Sequence, residues 1–158
     1  MTESNNSSSA WLRAIGIGLG VSLLTALVMV PLMKSGISPL PKPLGLAFAE
    51  TLVGRTLPLP MGLAFHFAYV TFWSVVFVRF FPRRNIKTAL FLALGLWIVV
   101  LAVFFPVVGW GFAGLTVSAR LIPASLFPHL LFGVLLWALD KFTRGSRKTT
   151  TSKSGAGP

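Results

Sequence analysis

The chain contains no cysteine. That excludes disulfides, thiolate metal sites, iron–sulfur clusters and cysteine nucleophiles. Acidic residues are nearly as scarce: Glu3, Glu50 and Asp140 are the only three among 158. So few carboxylates leave no pair spaced for acid–base work, and no phosphate loop, nucleophile elbow or His-Glu helical zinc motif occurs. Charged residues make up 11% of the chain, against roughly 25% in ordinary soluble proteins.

What fills the space is apolar. Hydrophobic residues account for 54%, with a formal net charge of +11. The cations lie between or beyond apolar stretches and form no basic domain. They therefore fit an anionic lipid surface rather than nucleic acid. The pattern predicts an all-α integral membrane protein with four transmembrane helices over 14–33, 61–81, 89–108 and 121–139. Each run suits a hydrocarbon core of about 30 Å. The first lacks a small-residue cleavage site before Pro31, so it is expected to remain as an uncleaved span.

The membrane domain is expected over 11–142. Residues 1–10 read as a disordered polar tail, and residues 143–158 as a basic flexible one. The connector from Lys34 to Pro60 frames the block Leu44–Gly54 with Pro39, Pro41, Pro43, Pro58 and Pro60. Pro43 at its first turn and Gly54 at its end predict a short helix lying in the interface. The link Pro82–Asn85 is so short that the second and third spans are expected to be antiparallel neighbours. Pro106 and the glycines Gly109, Gly111 and Gly114 predict a break and a turn around Trp110.

Basic residues sort by side. Arg13, Arg79, Arg83, Arg84, Lys87, Lys141, Arg144, Arg147, Lys148 and Lys153 fall on one side, and Lys34, Lys42, Arg55 and Arg120 on the other. The richer side is expected to be cytoplasmic and to hold both termini. There Lys141, Arg144, Arg147 and Lys148 would be drawn to anionic lipid at about 1 kcal/mol per charge. Trp11 and Trp110 read as boundary anchors, and Trp73, Trp97 and Trp137 as packing or lipid contacts.

The two halves of the chain resemble each other. Leu19, Gly20, Val28, Pro31 and Gly36 recur 75 residues later as Leu94, Gly95, Val103, Pro106 and Gly111, and His66 recurs 63 residues later as His129. The difference falls in a connector, which predicts a duplicated helical hairpin. Gly16 and Gly20, and Gly18, Ser22 and Ala26, give the first helix flat faces for a partner helix, another membrane protein or a second copy.

His66 and His129 are the chain's two histidines. Both fall about 7 to 12 Å inside the outer boundary. Ionisable groups in a membrane segment usually face an interior, so this pair is the candidate site. Three roles stand open. In the first, each ring hydrogen-bonds a neighbouring helix, worth about 0.6 kcal/mol. In the second, the pair holds a transition metal, with Glu50 completing a two-His, one-carboxylate set, or grips a haem iron from both sides. Gly62 and Gly133 would then make room for the macrocycle, and Arg55 or Arg120 would meet its propionates. In the third, the rings line a polar pocket for a proton or small solute. Glu50 also has the plainer reading of a solvated partner to Lys42 or Arg55.

Three stretches carry a resemblance: Gly62–Trp73 with Ala64, His66 and Trp73; Pro106–Leu115 with Gly109, Gly111, Phe112 and Gly114; and Pro128–Gly133 with His129 and Phe132. There the chain is similar to a group of small four-helix bacterial inner-membrane proteins of unassigned function. That resemblance implies four spans, an outer connector with a short helix and a cytoplasmic-membrane location; it implies no reaction. Val70 departs from the small residue the pattern expects after the first histidine.

Overall fold

The computed structural model describes residues 2–153, with side chains for 8–145. Among the described residues every regular element is helical. Helix α1 is Thr2–Lys34, α2 Leu44–Val53, α3 Leu59–Phe80 and α4 Ile86–Val99. The last continues through a π-helical turn, Val100–Phe104, into the short α5, Phe105–Val107. A 3-10 turn, Phe112–Gly114, precedes α6, Leu121–Lys153. Four stretches are long and apolar enough to cross a membrane: Ser8–Lys34, Leu59–Phe80, Ile86–Val107 and Leu121–Gly145.

Local chemistry accounts for the boundaries. Pro43 precedes α2 as its N-cap, and Gly54 closes it with a left-handed backbone, φ 71°. Asn85 starts α4 through a reciprocal cap: its side chain accepts the Thr88 N–H at 2.9 Å, while the Thr88 hydroxyl accepts the Asn85 N–H at 3.1 Å. Proline cannot follow a carbonyl four residues back without a clash. For Pro106 that carbonyl belongs to Ala102, inside the π turn. There the helix widens, and the Phe105 N–H reaches the Val100 carbonyl, five residues back. At the two ends of the chain, α1 begins at Thr2 and α6 runs to Lys153. Extending a formed helix avoids the cost of nucleating one.

Helix α1 packs on α3 and α6, α4 packs on α6, and α2 lies on α3. Missing from that set is the pair expected to be closest. Despite the short link between them, α3 and α4 make no extensive backbone approach. A short link holds two helix ends together but leaves their axes free to diverge. The glycines go to the contacts that do form. A Cβ on Gly18 would lie 2.8 Å from the Thr71 Cα of α3, and one on Gly62 would lie 2.5 Å from the Leu46 Cβ of α2. Gly133 meets Ala93 on α4, where a Cβ would come within 3.0 Å. Of the glycines on the α1 faces expected to receive partners, Gly18 and Gly20 are met by Thr71 and Leu139, and Gly16 remains open.

Two apolar cores result. The larger joins Ala14, Val21, Phe77, Ala93 and Leu136. The smaller gathers Ala47, Val100, Phe105, Trp110 and Leu121 at the other end. Trp110, expected as a boundary anchor, is instead buried against the Phe105 ring, 5.3 Å between centroids. Gly109 and Gly111 flank it with φ of 81° and 73°, a backbone that turns the chain inward there. Trp11 is exposed, with the Arg79 guanidinium 4.8 Å above its ring.

Candidate functional site

Where α3 and α4 diverge, a cavity of about 520 Å3 opens. Leu40–Pro43 and α2 cover it, α1 and α6 close it from below, and the π turn forms one wall. Its lining is mainly apolar and aromatic, including Phe48, Trp73 and Phe104. His66, Tyr69 and Trp73 stand three and four residues apart along α3, so they share one helix face. His129 enters from α6 one turn after Ser125. Both histidines line this one cavity.

Each ring is fixed by one nitrogen. His66 Nε2 lies 3.3 Å from the Ser22 carbonyl and 3.1 Å from the Thr25 hydroxyl. A carbonyl only accepts, so Nε2 carries the proton. The Thr25 hydroxyl directs its own proton to the Val21 carbonyl at 2.8 Å and can accept from the ring. His129 Nδ1 donates to the Ser125 carbonyl at 2.7 Å. The two rings therefore hold opposite tautomers. His66 keeps a lone pair on Nδ1 and His129 keeps one on Nε2, neither shared with a described residue. Tyr69 adds a buried hydroxyl without a hydrogen-bond partner. Its ring is held by the edge of Phe104 at 5.6 Å.

Several expected participants lie elsewhere. Glu50 does not line the cavity; it accepts a hydrogen bond from Lys42 at 2.6 Å and one from the Leu57 N–H at 3.0 Å. The Lys42 ammonium, then the Leu57 N–H, hold its carboxyl below the usual carboxylate range. The two-His, one-carboxylate set is not assembled, and among the described residues no group of three His, Cys, Asp or Glu could hold a metal. The residues expected around a haem are engaged with other partners. His66 Nε2 is engaged by α1, and the space beside Gly62 and Gly133 is occupied by Leu46 and Ala93. Arg55 and Arg120 are exposed and outside the cavity lining.

A second polar cluster lies at the opposite end of the helices. Asp140 is fully buried, with Arg144 2.8 Å away, Arg13 3.3 Å and Arg84 3.5 Å. Its Oδ2 lies at ion-pair distance from Arg144 but off hydrogen-bonding geometry. Arg84 also donates to the Val78 carbonyl, and Arg144 to the Arg84 carbonyl. One carboxylate thus ties α1, the end of α3, the α3–α4 link and α6. The sequence offered one sign of it: a lone acid four residues before an arginine, on the side with ten bases. Arg144, expected at the lipid surface, is drawn into this cluster with 39% of its side chain exposed. Lys141 is exposed, its ammonium 5.0 Å from the Trp137 ring centroid. Arg147 and Lys148 lie outside the described side chains.

The class these features define is an all-helical protein with four helices long and apolar enough to cross a membrane. Comparison with protein-family models, curated proteins and solved structures returns no match to this chain.

Proposed function

We propose that this chain is a four-span integral membrane protein, built as two hairpin halves, that acts as a non-catalytic component by holding a small apolar ligand in its His-lined cavity. The observation that carries the reading is the convergence of His66 and His129 on one cavity, each with one ring nitrogen unshared among the described residues. At about 520 Å3 it falls in the range of about 300 to 1,000 Å3 typical of small-ligand sites.

Membrane embedding is supported by the four apolar helices and by large side chains that face outward, among them Leu12, Leu27, Phe72 and Phe91. The packing of α1 on α3 and α4 on α6 supports the two halves. The distribution of Lys and Arg supports cytoplasmic termini, with the cavity toward the outer side and Lys141 at an anionic lipid surface. The sequence resemblance supports a bacterial cytoplasmic membrane. A binding role is favoured over catalysis by Ser125, whose hydroxyl donates to the Ile122 carbonyl at 3.0 Å and not to His129. At His129, then, Ser125 is not set as a nucleophile beside its base.

Native mass spectrometry of the protein from its own membranes tests this. Wild type is expected to carry a small apolar molecule that is lost from Ala26→Trp, in which an indole fills the cavity. Identical adducts on both proteins, or none on either, would contradict the reading.

A further inference from the structure

The cavity's polar groups specify what they would accept. His66 donates from Nε2 to α1, and His129 donates from Nδ1 to the Ser125 carbonyl. What each offers the cavity is a lone pair. Tyr69 contributes its ring to the wall, its hydroxyl being buried out of reach of the cavity space. Resting on the cavity reading above, we propose that the ligand is an uncharged molecule of the phenol or hydroquinone class, an aromatic hydroxyl head on an apolar body.

Four observations converge on that class. Imidazole lone pairs need an O–H or N–H donor, which ketones, quinones and ethers lack. A carboxylate or phosphate at the histidines would meet the same lone pairs and be repelled. A cation would have to pass Lys34 and Lys42, both of which line the cavity. Of the two, Lys42 is already paired with Glu50. A phenolic oxygen meets the need of the imidazoles by donating its proton to a ring nitrogen. The aromatic wall of Phe48, Tyr69, Trp73 and Phe104 suits a flat ring, which packs edge-on or offset against such side chains. Only binding is proposed, with no electron or group transfer.

The test compares decylhydroquinone, its dimethyl ether and decylbenzoquinone on the full chain in nanodiscs under argon, corrected for partition into empty nanodiscs. The three share a skeleton and differ in O–H donors. Leaving buried acceptors unpaired should weaken the ether and the quinone by about tenfold or more relative to the hydroquinone. In His66→Phe and His129→Phe the preference should shrink, and shrink further in the double variant. The ligand series on wild type stands alone if the double variant fails to fold. Equal affinity of ether and hydroquinone for wild type would overturn the hydroxyl assignment while leaving the cavity reading intact. No binding of any probe overturns the hydroquinone class; if the native mass spectrum is also empty, the cavity reading falls with it.

Discussion

The two ends of this helix bundle handle polar groups in opposite ways. Around Asp140, a buried carboxylate is surrounded by Arg13, Arg84 and Arg144, whose side chains reach water at 20%, 24% and 39% exposure. Around His66 and His129, each ring is half-satisfied by a helix carbonyl and keeps one nitrogen free. The first arrangement joins helices and has little left to offer a ligand. The second leaves a ring nitrogen of each histidine unshared beside a cavity, which structural polar groups rarely do. Shared ion pairs mark the framework, and unshared ring nitrogens beside a cavity mark the site.

Breaking the ion-paired end should have the largest effect. Asp140→Ala leaves three guanidinium groups without their shared partner. Loss of one member of a buried pair costs about 3 to 5 kcal/mol. Because the arginines are partly solvated, the lower part of that range is expected in reversible unfolding from mixed micelles. A change below about 1 kcal/mol would instead make Asp140 resemble a surface pair.

Next is the contact that seats α2 over the cavity. A side chain at Gly62 must push Leu46 away, so Gly62→Val should destabilise by about 1 to 3 kcal/mol, as overpacking does. Proteolysis should then cut the connector around α2 faster than in wild type. Gly16→Val, at an open position, should leave both readouts unchanged.

His66→Ala removes only contacts to the Ser22 carbonyl and the Thr25 hydroxyl, and membrane hydrogen bonds average about 0.6 kcal/mol. Its stability cost should be small while ligand carriage is lost. A stability loss as large as that of Asp140→Ala would erase the contrast between the two ends.

The smallest effect concerns Glu50. Its carboxyl is held below the ordinary range by Lys42, so the folded state binds its proton less readily than the unfolded chain. That contribution is present above the unfolded carboxylate pKa and fades as pH falls through the lower folded value. Protease protection of α2 should hold at neutral pH and weaken only in acid. Glu50→Gln should remove that dependence.

The apolar runs showed the four long helices, because length and composition suffice for that. Pro43 and Gly54 likewise marked α2 to within a residue. The histidines could be singled out because an ionisable group stands out in an apolar run. What they face depends on the divergence of α3 and α4, which the short link between them concealed. Gly62 and Gly133 suggested space in the sequence, yet each is the point where another helix comes closest. Trp110 shows the same limit: its flanking glycines indicated a turn, not that the turn folds inward. Asp140 was nearly invisible, since its partners Arg13 and Arg84 lie 127 and 56 residues away.

The most direct measurement is the nitrogen NMR spectrum of the protein with labelled histidine, in nanodiscs. With only two histidines, His129→Gln assigns the signals by subtraction. The account predicts opposite tautomers: the proton on Nε2 of His66 and on Nδ1 of His129. The same tautomer at both, or a doubly protonated ring at either, would contradict the assignment of two free lone pairs to the cavity.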